Sequence, residues 1–519
     1  MHKQISYKKA TIIVMIITLL SKITGFFREI LLGSKYGATY VTDAYLVSLT
    51  IPQTLFASIA AAIVTTYIPL YSGISVNEGP KEGVRFTNKV VNIVLLGSAL
   101  LAVLGMIFTK PIVSLIAMGF KGEVLNLAVN FTRITFPMVI FIGLCRIFAG
   151  FLQANNEFTL PALIGIPNNI IIISMLLLSS AVGPYGLVFG SLIGAILEAA
   201  VLLPGAFKKG YRYNRVLNFK DPYVVKVGAL ALPVMLGSAV QQLNVLIDRM
   251  LASGLPEGSI SALNFANRLN GFVYGLFSMS VSVVIYPLLS RLRAEEDMEG
   301  FKDKLVKGLN IITLIILPIT VGAMVLSHPI VSVLFERGQF DSRATSMTAS
   351  ALLFYSIGMV FYGYRDVLNR TFYSLQDTKT PMLNGLITVG LNIVLNLVLV
   401  RFMQHDGLAL ATSLSAIIMT LLLFANLRKS MGGIGGRKLA GVFIKSGVAS
   451  LAMGIAVYVL NKLMAGYTAS SGRLIELLAL GLVISFGALI YFALIYIFKV
   501  QEIKWLIDMV KKRIMNIFF

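Results

Sequence analysis

An all-α integral membrane protein with fourteen transmembrane helices is the fold class that three features of the sequence predict. The 519 residues are 57% hydrophobic and 13% charged, about half the charged fraction of a soluble domain. Mean hydropathy is +0.84. Fourteen stretches are long and apolar enough to cross about 30 Å of hydrocarbon.

In chain order, the first span covers 10–33. It follows Lys8-Lys9 without a small-residue cleavage site, so it reads as a retained span. It carries Lys22, Arg28 and Glu29, with Gly25 breaking its middle as a hinge. Each charge at a helix centre costs roughly 2.5–3.5 kcal/mol on insertion scales, so such residues normally face a watery cavity. The second span, 41–72, opens on Asp43. Spans 88–109 and 124–152 follow, the latter with Arg133, Arg146 and the single cysteine, Cys145, read as helix packing. Spans 159–181 and 184–206 complete a set of six. The next six are 223–252 (Asp248, Arg249), 260–290 (Arg268), 306–327, 345–375 (Arg365, Asp366, Arg370), 380–402 (Asn392, Asn396) and 407–427 (Thr412). Spans 439–464 and 473–498 are extra. The tail after Lys499 alternates apolar and basic residues at helical spacing around Trp505, the pattern of an amphipathic helix on the inner leaflet.

Two six-span sets imply a duplication, and short strings support it at a separation of about 220 residues. Phe151-Leu-Gln-Ala-Asn-Asn-Glu-Phe-Thr-Leu-Pro161 resembles Phe372-Tyr-Ser-Leu-Gln-Asp-Thr-Lys-Thr-Pro381, and a glycine stands four residues after each proline (Gly165, Gly385). Gly186-Leu187 matches Gly407-Leu408, and Tyr67-Ile-Pro69-Leu-Tyr-Ser72 parallels Ile285-Tyr-Pro287-Leu-Leu-Ser290. The expected organisation is an N-terminal lobe (1–215), a C-terminal lobe (216–430) related to it by a pseudo-twofold axis, two helices forming a separate segment (431–499), and a tail (500–519). Because six is even, the repeats enter the membrane the same way, with the substrate path between lobes.

Net charge is +21. The basic residues lie mostly in alternate connections, roughly 26 against 7, which by the positive-inside rule puts both termini in the cytoplasm. Nucleic acid is not needed to explain the charge. Three histidines without a Cys/His cluster argue against zinc. No P-loop, Ser-His-Asp or metalloprotease spacing is present, so the chain reads as no enzyme, and its work must come from a gradient or the membrane potential. Cations outnumber acids within the spans, and guanidinium forks match phosphate oxygens two at a time. A cationic cavity built on Lys22, Arg28 and Arg268 therefore points to a phosphate- or carboxylate-bearing cargo. Asp248, Asn392, Asn396 and Thr412 form a separate oxygen-bearing set, suited either to a small hard cation or to plain inter-helix hydrogen bonding.

Ser21-Lys-Ile-Thr-Gly25-Phe-Phe-Arg28-Glu29, Tyr36-Gly-Ala and Thr42-Asp43-Ala44-Tyr together resemble the N-terminal signature of the MurJ lipid II flippases, in the MOP exporter superfamily. Phe265-Ala-Asn-Arg268-Leu, Phe335-Glu-Arg-Gly-Gln-Phe340 and the Phe372–Pro381 string extend the resemblance along the chain. It implies a flippase for the undecaprenyl-diphosphate-linked cell-wall precursor in a bacterial cytoplasmic membrane. The diphosphate would be served by Lys22, Arg28 and Arg268, with Glu29 and Asp43 as accompanying acids. The last two spans would form a groove for the lipid tail. A sodium ion would fall on Asp248, Asn392, Asn396 and Thr412. Expected partners are lipid II, membrane lipids and proteins of cell-wall synthesis or division.

The chain departs from that family in several places. Lys22 replaces a common arginine, Phe56 another, and Ala61 an acid. Asn396 is neutral where aspartate is frequent, which weakens the case for sodium and leaves a potential-driven cycle. Alternatives from the residues alone are a flippase for another polyprenyl-diphosphate oligosaccharide, a drug/cation antiporter of the same superfamily, and a non-transporting scaffold.

Overall fold

The computed structural model describes residues 2–468, 472–500 and 502. Among them the regular elements are helices. They run α1 (His2–Tyr36), α2 (Tyr40–Asn77), α3 (Pro80–Ile107), α4 (Thr109–Ile116), α5 (Gly122–Thr135), α6 (Met138–Ala154), α7 (Thr159–Leu163), α8 (Gly165–Leu177), α9 (Ser179–Val182) and α10 (Tyr185–Lys208). Then come α11 (Pro222–Ser253), α12 (Ser259–Ala294), α13 (Met298–Val325), α14 (Ser327–Phe335), α15 (Ser342–Ile357), α16 (Met359–Ser374), α17 (Lys379–Met431), α18 (Gly436–Thr468) and α19 (Arg473–Ile497). Helix is what lipid demands of such apolar segments, because every backbone N–H and C=O must be satisfied within the segment.

Among the described residues ten helices are long and apolar enough to cross a bilayer, or up to twelve if two bent pairs each count as one span. Those pairs are Pro222–Met235 with Gly237–Ser253, bent by 44°, and Ser342–Ile357 with Met359–Ser374, bent by 43°. The 53-residue α17 is itself two helices joined at Gln404, whose φ of 51° and ψ of −129° leave the helical region. Dividing α17 there, and adding α1 with its apolar run from Ala10, is consistent with the fourteen spans expected.

Contrary to expectation, Gly25 breaks nothing: α1 is continuous for 35 residues. The position faces α8, where a Cβ on Gly25 would stand in ordinary contact, 3.4 Å from the amide of Asn169.

The duplication is visible in the helix joints. Short α4 follows α3 and short α14 follows α13, at positions 218 residues apart. The α6 helix ends on Asn156 in the left-handed region (φ 58°), and α16 ends in the same way at Gln376 (φ 62°). At each of these ends the following acid closes the turn. The Glu157 N–H donates to the Leu152 carbonyl, and Asp377 N–H to Phe372 carbonyl. The carboxylates of Glu157 and Asp377 then accept from the N–H groups of Thr159 and Thr380, opening α7 and α17. The repeated strings are thus a helix stop followed by a helix start.

The chain forms two compact units: Met1–Ser261 with Arg337–Phe340, and Ala262–Glu336 with Asp341–Phe519. Their boundary differs from the repeat-based one at 215/216. Helix α11 packs along α2 in the first unit, and α18 and α19 pack with α13 in the second. The first unit's core centres on Phe56, Tyr67, Tyr71, Phe86, Phe151 and Tyr211. In the second unit one core joins α12, α13, α16 and α17 through Leu289, Leu305, Ile312, Val367 and Leu423, and another joins α18 and α19. Helix α19 buries Ala479, Val483, Gly487, Tyr491 and Ile495, a stripe of period four, while Leu474, Leu478, Leu482, Leu489 and Phe492 on other faces are exposed. Apolar side chains turned outward on this scale require lipid as the solvent. The chain is an integral membrane protein. Of the expected amphipathic tail, Trp505 and its neighbours from 503 onward lie outside the described residues.

Candidate functional site

The charge in α1 is organised by α8. Arg28 Nη2 lies 2.6 Å from Glu29 Oε1, and Nη1 donates to Asn169 Oδ1 at 3.1 Å. Asn169 is oriented in turn, its Nδ2 donating to the Ser21 carbonyl (3.1 Å) and to Thr24 Oγ1 (3.2 Å). Asn169 and Glu29 are buried, whereas the Arg28 side chain keeps 21% of its surface exposed. These bonds engage two of the five guanidinium N–H donors. Lys22 is exposed, seven residues before Glu29 and therefore close to the same helical face. The arrangement is a cation held rigidly with donors to spare, which can bind an oxyanion without first paying for its own ordering.

Two neighbours absent from the sequence-based site complete this cluster. Glu198 on α10 accepts from Asn168 Nδ2 at 2.8 Å and lies within electrostatic range of both Arg28 and Arg146. Adjacent asparagines on α8 thus connect an Arg28–Glu29 pair to a Glu198 carboxylate. A signal existed, since Glu198 is an acid inside the apolar span 184–206. The roles of Asn168 and Asn169 depend on how α1 and α10 flank α8, which no spacing encodes.

Asp43 is buried away from that cluster, with a different task. Its Oδ2 accepts from the Gly258 N–H and its Oδ1 from the Ser261 N–H, both at 2.8 Å, and Ser261 Oγ adds a third bond. The Ser261 amide belongs to the unsatisfied first turn of α12 and the Gly258 amide immediately precedes it, so Asp43 caps a helix more than 200 residues away in sequence. The end of α1 receives the Glu-Arg-Gly-Gln-Phe string: Gln339 N–H donates to the Ser34 carbonyl at 2.9 Å. Gly338 (φ 60°) passes so close that a Cβ would meet that carbonyl oxygen at 2.2 Å. The string's glycine is there for backbone approach.

Lys22, Arg28, Glu29 and Asp43 belong to the first compact unit. Arg268 belongs to the second, on an exposed face of α12. The second unit has its own half-buried charges on α16: Arg365 lies 3.7 Å from Asp366 and over the Tyr362 ring, and Ser278 Oγ donates to Asp366.

The oxygen-bearing set divides as well. Asp248 lies on α11 in the first unit, and the others lie in the second. Asn396 Nδ2 donates to Asn392 Oδ1 at 2.9 Å, Asn392 Nδ2 to Ser415 Oγ at 3.0 Å, and the Thr412 hydroxyl to the Leu408 carbonyl at 2.9 Å. As placed, the second-unit members form a hydrogen-bond ladder between the two halves of α17, with no carboxylate among them. Among the described residues no group of three or more His, Cys, Asp or Glu could hold a metal.

The chain is 31% identical over 425 residues to the lipid II flippase MurJ of Burkholderia cenocepacia, covering 79% of this chain and 82% of that protein. It is 30% identical over 439 residues to a probable lipid II flippase MurJ of Vibrio cholerae, covering 81% and 82%. A solved lipid II flippase MurJ in an inward closed conformation superposes with a TM-score of 0.80 at 29% identity, covering 94% of this chain and 98% of that one. An inward-facing multidrug resistance MATE transporter of the MOP superfamily shares the fold alone (TM-score 0.63, 15% identity, 82% and 98% covered). The sequence profile of the lipid II flippase MurJ family matches residues 33–500, and the chain belongs to that family.

Proposed function

We propose that this chain moves lipid II, the polyprenyl-diphosphate-linked peptidoglycan precursor, from the inner to the outer leaflet by alternating access. The observation that carries the reading is Arg28: a guanidinium inside the first span, steadied by Asn169 and Glu29, with donors left for a diphosphate. Lys22 adds an exposed point charge on the same helix, and Arg268 is the second unit's own candidate guanidinium for the diphosphate. Glu29 positions Arg28, and Asp43 holds the loop at the start of α12. No bond in the cargo is made or broken, so the chain acts as a transporter and not as an enzyme. Both termini face the cytoplasm, following the bias of basic residues to that side. Outward movement of a diphosphate across an inside-negative membrane is downhill by about 2.3 kcal/mol per charge per 100 mV. The membrane potential is therefore a sufficient drive.

The test is precursor translocation in a bacterium depleted of its own flippase, with Arg28→Ala and Arg268→Ala variants that reach the membrane in normal amount. Loss of translocation is expected for each. Full translocation by both would overturn the assignment of the cargo site. Native mass spectrometry of the purified protein with lipid II and with a polyprenyl-diphosphate oligosaccharide of a different sugar class checks the identity of the cargo.

A further inference from the structure

The connection between α10 and α11 is a strap clamped to the side of α3. Tyr211 is buried against the edges of Phe148 and Phe151, and its hydroxyl donates to Asn88 Oδ1 at 2.9 Å. Asn88 also accepts from the Asn214 N–H and donates to the Arg212 carbonyl, while Asn92 Nδ2 donates to the carbonyls of Asn214 and Val216. Lys89 pairs with Asp221, which caps α11. One face of α3 thus grips the strap at five residues, and the Arg212 side chain is engaged by the carbonyls of Phe207 and Tyr211.

What the clamp leaves outward is uniform in character. Residues 208–220 contain five cations and no acid. Lys208, Lys209, Arg215 and Lys220 are exposed, and between them stand Tyr213, Leu217 and Phe219, each more than half exposed. The stretch 291–307 offers a contrast. Its five cations are matched by five acids, and Arg291 and Lys307 are paired with Glu295 and Asp303.

From this juxtaposition we infer that the 208–220 strap is a docking surface for anionic phospholipid headgroups of the leaflet it borders. Spans on both sides hold it at the membrane surface, within the range where a basic side chain attracts anionic lipid. Aromatic and leucine side chains interleaved with the cations suit the headgroup boundary, where their apolar bodies can enter and the charges stay wet. The clamp to α3 removes the ordering cost that a free basic loop would meet on binding. A soluble acidic protein would find the same charges, yet it would leave Leu217 and Phe219 without a reason to be exposed beside lipid.

The experiment uses the full-length protein in nanodiscs of phosphatidylglycerol or phosphatidylcholine. Amide hydrogen exchange across 213–219 is expected to slow in phosphatidylglycerol, with the difference vanishing in high salt. In native mass spectrometry from mixed-lipid discs, the Lys209→Gln/Arg215→Gln/Lys220→Gln variant is expected to lose preference for phosphatidylglycerol by roughly five-fold per charge removed. Among the described residues these three side chains make no hydrogen bond or ion pair, and an unchanged thermal midpoint verifies that the variant is folded. Equal exchange in the two lipids, or an unaltered preference in the variant, would overturn the inference and leave the strap to a soluble partner.

Discussion

Replacing Asp43 with alanine separates two roles that its sequence context allows. As an acid accompanying the cargo site, Asp43 would matter for translocation and little for folding. As built, its carboxylate accepts the Gly258 and Ser261 amides at 2.8 Å each, together with the Ser261 hydroxyl, in a fully buried setting. A hydrogen bond to a charged group is worth about 1.5–3 kcal/mol, so orphaning the two amides costs on the order of 3–6 kcal/mol. The negative charge also complements the N-terminal end of the α12 dipole, a smaller contribution of the same sign. The expected outcome for Asp43→Ala is a lower thermal-unfolding midpoint in detergent and reduced yield of folded protein. Asp43→Asn should fall between, because its one amide oxygen can still accept. A variant that folds with wild-type stability and fails only in translocation would refute the capping role and return Asp43 to the cargo site.

Other expectations follow from the same contacts. Arg28→Lys keeps the charge but cannot reach Asn169 and Glu29 together; with a charge-assisted bond lost, translocation should fall about 10–100-fold at normal membrane abundance, as measured by precursor accessibility at the outer surface. Gly338→Ala places a Cβ against the Ser34 carbonyl in a left-handed conformation, and folded yield from membranes should drop, since the backbone conformation alone costs roughly 1–2 kcal/mol. Burial alone would push the Asp221 carboxyl up, but the Lys89 ammonium and the N–H groups of Tyr223 and Val224 hold it below the usual carboxylate range. A depressed folded-state value means stability present above the unfolded value of about 3.9 and lost as pH falls through the folded one. The thermal midpoint should therefore drop in that acid range, and Asp221→Asn should flatten the drop while lowering the midpoint at neutral pH.

Some of the chemistry was legible from the chain alone because it is local. Period and length mark the spans, since a helix crossing lipid must be apolar for about twenty residues whatever its neighbours are. The duplicated strings were readable because helix stops and starts are made by residues adjacent in sequence, as at Asn156-Glu157 and Gln376-Asp377. Breaks inside spans were less legible. Gly25 reads as a hinge, yet α1 runs through it unbroken, because a single glycine costs a helix only about 1 kcal/mol relative to alanine.

Composition and span-scale charge determined that this is a polytopic membrane protein with cations where lipid would reject them, for the transfer energetics act residue by residue. Tertiary structure alone decided which cation is steadied for binding and which acid caps a helix. Arg28 is fixed by Asn169, 141 residues away, and Asp43 serves amides more than 200 residues away. Hydrogen bonds reach about 3 Å in space and have no range in sequence, so their partners are set by the packing of helices and by nothing the local pattern carries.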